Sequence, residues 1–417
     1  MRQIRALQVI SVSAVSCVLL ALLAHGATGL LQGRTPGPAP AGMSLQMTSP
    51  GRTDIVTNNQ ARTRRASTAS ISDNDMRVAA GPVTFAGIAP GMRNVAVIVE
   101  KRWHLIVPDA AGNFSAVVDL STVPAGPLVV DVHAWDTPPD VHNFSVALSL
   151  RVHLFVHNTT QTAAAEQPSA VTGRRLVWSE EFNSLSRERW YAGPKPDGQE
   201  YGAAAFLGYD DLNHDPYTVM DGFLRIRARH LPDFRDQRGW GRQWATGHLS
   251  TGFPDGSATG AFRKGYFEAR MMLPAGAGTW GSFWLLDQKG ITASEQNGAV
   301  EIDVFESYGH DTSAYVATEH DWPPPSANGA GYRRAQKHVT GLADYSLRFH
   351  RFGIELTDTQ AIFYLDGVEK FRTALYRAAT VSPFFMMVTL AMSHDWPIEI
   401  PPSGYYDLWI DYVRVYE

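Results

Sequence analysis

The sequence predicts an all-β protein built from two unequal β-sandwiches, and two observations carry that reading. Over residues 83–157, short runs rich in β-branched and apolar residues recur between Pro- and Gly-containing breaks, with no helical period. Over 174–417 almost every run reads as strand, and no amphipathic stretch of normal helix length interrupts them. The 417 residues are enough for one large domain and one smaller one.

The elements follow in order. Residues 1–33 read as an export segment: Arg2 and Arg5 precede an uncharged stretch, with Ala24-His25-Gly26 or Ala27-Thr28-Gly29 as cleavage sites. The same stretch reaches spanning length, roughly 20 residues. A cleaved signal peptide and an uncleaved anchor holding the chain at a membrane, basic end in the cytoplasm, are therefore both open. Either places the remainder outside the cytoplasm. Residues 34–77, rich in Pro, Gly, Ser, Thr and Arg, are expected to be a disordered linker. Residues 78–157 are expected to form a small immunoglobulin-like β-sandwich, with strands near 83–88, 95–100, 104–107, 114–120, 128–134 and 145–156. The breaks between them include Ala89-Pro90-Gly91 and Pro124-Ala125-Gly126-Pro127. A spacer role suits this unit, although Trp103 or Trp135 offers a ring on which a sugar can stack. A second linker, 158–173, leads to the large domain at 174–417.

Composition narrows the partners. Aromatic residues make up 11% of the chain, with 11 Trp and 15 Tyr, which suits a protein that stacks rings on sugars. A net charge of -5 with no basic tract argues against nucleic acid as a partner. The only cysteine, Cys17, lies in the export segment, so the folded part needs no disulfide. A monomer is expected.

The run Glu301-Ile302-Asp303-Val304-Phe305-Glu306 places three carboxylates among apolar residues and ends at Ser307-Tyr308-Gly309. It reads as a strand entering a turn. Residues two apart share a face of a strand, so Glu301 and Asp303 point together. Glu306 would point the other way unless one β-bulge reverses the parity. Three acids crowded on one surface raise at least one proton affinity, and an ionised carboxyl beside a protonated one is what glycosidic cleavage requires. A solvated acidic edge strand and a calcium loop are the rival readings. The apolar Ile302, Val304 and Phe305 argue against the loop.

Blocks around that run, in fixed order, resemble glycoside hydrolase family 16, particularly its laminarinase-like endo-β-glucanase branch with the signature Glu-x-Asp-x-x-Glu. They are the opening Leu176-Val177-Trp178-Ser179-Glu180-Glu181-Phe182-Asn183, the hairpin Asp221-Gly222-Phe223-Leu224-Arg225-Ile226, Gly265-Tyr266-Phe267-Glu268-Ala269-Arg270, Gly278-Thr279-Trp280-Gly281-Ser282-Phe283-Trp284, and the closing Ile410-Asp411-Tyr412-Val413-Arg414-Val415-Tyr416. The resemblance implies a concanavalin-like β-jelly-roll sandwich with a polysaccharide cleft across its concave face. It implies Glu301 as nucleophile, Glu306 as acid/base and Asp303 between them. No cofactor is implied for catalysis. It further implies sugar contacts from Glu268 and Arg270, whose alternative is a structural ion pair on the sheet, and from Trp280, Trp284 and His320. A structural calcium is implied at Glu181, Gly222 and Asp411, all oxygen donors; the alternative is that Asp411 pairs with Arg414 or a backbone amide. Two positions depart from the pattern. Gln296-Asn297-Gly298-Ala299-Val300 replaces a Trp-Pro-x-x-Gly turn, and Thr389-Leu390-Ala391 replaces Asn-Leu-Ala. A secreted, endo-acting, retaining hydrolase of β-1,3- or mixed-linkage glucans, or of a related exopolysaccharide, is therefore expected. A transglycosylase using the same acids and a glycan-binding protein are the alternatives.

Overall fold

The structure, a computed structural model, describes residues 45–49, 53–56, 77–136, 148–158, 169–209, 214, 216–292, 298–393, 395–401 and 403–417. The export segment at 1–33 and the Gln296-Asn297 turn lie outside the described residues. No helix among the described residues is long and apolar enough to cross a membrane.

The N-terminal part is a two-sheet sandwich. One sheet has 3 strands in the order Gln46–Ser49, Pro82–Ile88, Asn113–Asp119; the other has 6, its main path running Thr53–Val56, Leu148–His157, Gly126–Trp135, Asn94–Val99, Arg102–Ile106. The strand Arg77–Ala79 joins the second sheet, parallel to Leu148–His157. Alternation explains the packing: Val95, Val97 and Val99 pack with Phe85, Phe114 and Val118 in an apolar core, while neighbouring positions point outward. The linker expected at 34–77 is corrected here. Gln46–Ser49 pairs antiparallel with Pro82–Ile88, and Thr53–Val56 with Leu148–His157. Strands at the flank of a sandwich need only brief apolar runs, such as Leu45-Gln46-Met47 and Ile55-Val56, which do not stand out in a polar stretch.

The C-terminal part is a β-jelly-roll of two larger sheets, one of 10 strands and one of 8. In the first, the closing strand Tyr405–Tyr416 lies between Phe223–His230 and Gly265–Met272. The main path of the second runs Tyr191–Ala192, His248–Ser250, Phe384–Met392, Thr279–Asp287, Ala299–Tyr308, Tyr315–Trp322, Arg333–Val339. Phe267, Ala269 and Met271 of one sheet meet Phe283, Leu285 and Val388 of the other in one continuous core. The Phe305 and Phe352 rings, one from each sheet, lie with centroids 3.9 Å apart.

The two units touch through a packed contact. Val129 and Phe155 of the small sandwich bury against Met220, Phe223, Met272 and Trp409 on the outer face of the 10-stranded sheet. Phe155 lies 5.9 Å from Phe223 and 5.4 Å from Trp409, centroid to centroid. Gly126 has φ +126, and a Cβ there would sit 2.9 Å from the Phe223 ring, so any side chain at this position would be strained. Polar contacts frame the patch: Asp221 pairs with His157 at 2.6 Å and Arg77 at 3.4 Å, and Arg151 bonds Ser346 at 3.4 Å.

Truncating the central ring tests whether the units are mechanically one. Phe155→Ala should cost about 3–4 kcal/mol, the range for a buried aromatic. Denaturant unfolding followed by fluorescence should change from one transition to two; a single unshifted transition would show the contact to be idle.

Candidate active site

The acid-bearing strand Ala299–Tyr308 lies inside the 8-stranded sheet, between Thr279–Asp287 and Tyr315–Trp322. Val300 and Ile302 enter the core, as alternation requires, and then Val304 and Phe305 enter it consecutively. Pairing slips at that point on both flanks. Phe283 opposes Phe305 while the next residue, Trp284, opposes Asp303; on the other side the break falls between Asp303 and Glu306. One extra residue has been inserted, and it places Glu301, Asp303 and Glu306 together on the face away from the core.

The neighbours complete the site. His320 sits opposite Glu301 in register, its Nε2 3.1 Å from an Asp303 carboxylate oxygen and its Nδ1 2.7 Å from the Tyr332 hydroxyl. Trp280 donates its indole N–H to Glu306 at 3.0 Å, and Trp322 donates to Glu301. The His320 ring stacks on Trp322 with centroids 5.0 Å apart and planes 11° apart; Tyr332 lies 4.7 Å from Trp322 on the same side. Trp284 is buried and donates to Thr389 Oγ1 at 3.0 Å, with the Tyr201 ring packed against both Trp280 and Trp284.

These surroundings set the charges. Burial, then the neighbouring Asp303, pushes Glu306 up to about 8. Glu301 is raised by the same two causes in the same order, and His320, Lys195 and the Trp322 donor hold it back. Burial opposes protonation of His320, but its hydrogen bond to Asp303 and the surrounding carboxylates prevail and push it up to about 9. At neutral pH the site thus holds a protonated acid at Glu306 and an imidazolium at His320. Glu301, Glu306 and His320 titrate together, because the charge of each acts on the others. Among the described residues, Glu301, Asp303 and His320 are close enough to share a cation, with ligand atoms within 4.8 Å of one another. With Asp303 and the two glutamates around it, protonated His320 supplies compensating positive charge there.

Two sequence expectations are corrected. Glu268 and Arg270 belong to Gly265–Met272 in the opposite sheet, on its outer face, remote from the acids. Glu268 is fully buried and accepts from Tyr266 at 2.9 Å and Tyr412 at 2.6 Å; Arg270 pairs with Asp411 at 2.5 Å. Strand parity was legible, but which sheet the strand joins was not. The calcium ligands do not fit a metal either. The Glu181 carboxylate is held by Arg414 through bonds of 2.8 and 2.7 Å, and Asp411 is held by Arg270. The Glu181 carbonyl does lie beside Gly222, yet both side-chain donors are spent on arginines.

Four contributors escaped the sequence reading. Trp322 lies two residues beyond His320, so parity alone could have placed it on the same face. Thr389 sits in the Thr-Leu-Ala run already singled out. Tyr201 and Tyr332 arrive from distant segments and carry no local signal.

Two outcomes follow. If Glu306 must carry a proton, turnover falls as pH rises through about 8. The Trp280 N–H favours the ionised form, so Trp280→Phe should move that alkaline limb to higher pH; a limb unmoved in a pH–kcat/KM profile would remove Glu306 from the role. On the outer face, neither calcium nor a chelator should change the melting temperature. Arg414→Met, which strands a partly exposed carboxylate, should cost roughly 1–2 kcal/mol.

Residues 245–413 match the model of glycosyl hydrolases family 16. The chain is 27% identical over 289 residues to endo-1,3-1,4-beta-glycanase EglC of Rhizobium meliloti (strain 1021), covering 63% of this chain and 57% of that protein. It is 27% identical over 274 residues to a beta-glucanase of Rhodothermus marinus, covering 58% of this chain and 84% of that one. The chain spans about half the length of the first curated relatives it matches, 57% and 48%. Among solved structures, a variant of SCLam, a non-specific endo-beta-1,3(4)-glucanase from family GH16, shares the fold at a TM-score of 0.50 and 20% identity, over 60% of this chain and 98% of that one. The bulged Glu-Ile-Asp-Val-Phe-Glu strand, set in a jelly-roll, lies within the segment that the family model matches, so residues 245–413 carry a glycoside hydrolase family 16 domain.

Proposed function

We propose that the chain is an endo-acting, retaining β-glycosidase that cleaves β-1,3- or mixed-linkage glucans, acting as an exported monomer. The observation that carries this is the bulge at Val304-Phe305, which sets Glu301, Asp303 and Glu306 on one face with a protonated Glu306 among them. The substrate class rests on the names of the relatives, endo-1,3-1,4-beta-glycanase and beta-glucanase. The small N-terminal sandwich is read as an immunoglobulin-like spacer, supported by its 3- and 6-stranded sheets and its lateral packing away from the acids.

In the mechanism that fits, the Glu301 carboxylate attacks the anomeric carbon while Glu306 gives its proton to the leaving glycosidic oxygen. The Trp280 N–H then stabilises the carboxylate that Glu306 becomes. Water, deprotonated by Glu306, attacks the glycosyl-enzyme and returns Glu301 to its ionised form, so the proton count closes. Asp303, held by His320, keeps negative charge between the two glutamates and thereby sustains the proton on Glu306 in the resting state. Sugar instead of water at the second step would make the same site a transglycosylase; product lengths from a defined oligosaccharide distinguish the two.

Glu301→Gln and Glu306→Gln should each lower kcat by at least roughly a thousandfold with the fold intact, and Asp303→Asn by less. Reducing-end release from laminarin and lichenan gives the rates, and proton NMR of the first product gives its anomeric configuration. Near-normal turnover in Glu301→Gln, or an inverted anomer, would overturn the mechanism.

A further inference from the structure

The catalytic site does not account for Trp240, one of the most exposed large apolar side chains among the described residues, at 57%. It is not a loose ring. It forms the tip of Gly239-Trp240-Gly241, where both glycines have φ +72, a conformation that tightens the turn and presents the side chain between them. Asp236 holds the turn from within. It accepts backbone N–H bonds from Arg238 at 3.0 Å and Trp240 at 3.1 Å, and side-chain bonds from Arg242 at 2.6 and 2.8 Å. The Arg242 guanidinium lies 4.7 Å from the Trp240 ring centroid and backs one of its faces.

The turn is also tied to the segment that packs on Trp280 and Trp284. Arg242 and Arg238 both bond Glu200 Oε2, at 2.9 and 3.0 Å, and Arg238 reaches the Gly198 carbonyl at 2.6 Å. Glu200 precedes Tyr201, whose ring packs on Trp280 and Trp284. Gly198 closes a turn with Lys195, whose ammonium lies 5.8 Å from the Trp284 ring centroid. A chain of contacts thus runs from Trp280 and Trp284 beside the catalytic acids, through the 195–201 segment, to a solvent-facing indole. Two arginines and two carboxylates with buried side chains thus support a ring that is itself more than half exposed.

We propose that Trp240 forms a distal subsite of the cleft, stacking its open face on a pyranose ring of a bound β-glucan chain beyond the Trp284 side of the catalytic acids. This rests on the glucan-cleaving reading above. A ring fixed before binding loses little entropy when a sugar docks, and its apolar face matches the C–H face of a β-linked glucosyl unit. Such a subsite rewards long substrates and is not reached by short ones.

The test is chain-length dependence. With the full chain, kcat/KM is measured on β-1,3- and mixed-linkage oligosaccharides of increasing length and on the polymers, and binding of the same series is measured with Glu301→Gln. Trp240→Ala should lose roughly 5- to 10-fold in kcat/KM and affinity on the polymer, with the loss shrinking as the substrate shortens. Trp240→Tyr should keep most of the wild-type value. Trp240→Leu, which still covers Arg242, should behave like the alanine variant, so a folding defect in the latter leaves the comparison intact. A loss equal at every length, or none in the leucine variant, would overturn the subsite. A wild-type chain that binds glucan without cleaving it would sink the catalytic reading while the binding arm still decides Trp240; no binding at all would sink both.

Discussion

The insertion of a single residue in the strand Ala299–Tyr308 is the constraint on which the site depends. A regular strand carrying the same letters would bury Glu306 in the core or lift Phe305 out of it. The bulge lets Val304 and Phe305 both enter the core, where Phe305 meets Phe352 of the opposite sheet at 3.9 Å, while the acids keep the other face. The apolar contact thus fixes the kink, and the kink aims Glu306. Chemistry on one side of the sheet is held in place by packing on the other.

Crowding three acids costs free energy, and the structure offsets it with donors. His320 shares its charge with Asp303 and is itself steadied by Tyr332; Trp280 and Trp322 each give an indole N–H to one glutamate. Stacking of His320, Trp322 and Tyr332 holds these donors rigid. The result is a site where burial raises proton affinity and placed donors prevent all three acids from becoming neutral. Those donors come from two strands and a loop.

The outer face of the jelly-roll uses the opposite arrangement. Arg414 with Glu181, Arg270 with Asp411 and Arg227 with Asp407 pair in this way, and all three pairs bind residues distant in sequence to the closing strand. Arginine suits this work because its fork meets both carboxylate oxygens with fixed geometry. On the same face the small sandwich lands on Phe223 and Trp409. First strand, last strand and N-terminal unit are thereby joined without a disulfide.

The all-β class, most strands of the small sandwich and the three acids with their bulge were all legible in the chain, because each rests on local periodicity: alternation of two, interrupted once by two adjacent apolar residues. His320 was legible too, through its position after the acid strand. What the sequence left open depends on contacts between segments far apart. Parity told that Glu268 and Arg270 share a face, but a strand does not record which sheet recruits it, and the tertiary structure put them behind Tyr412 and Asp411 instead of in the cleft. Glu181 and Asp411 are oxygen donors in the chain; only packing brought an arginine to each. Tyr201, Tyr332 and Thr389 likewise became part of the site when sheet closure carried them there. Side-chain type and spacing determined what chemistry the chain can perform, whereas the pairing of distant strands decided which polar groups were left free to perform it.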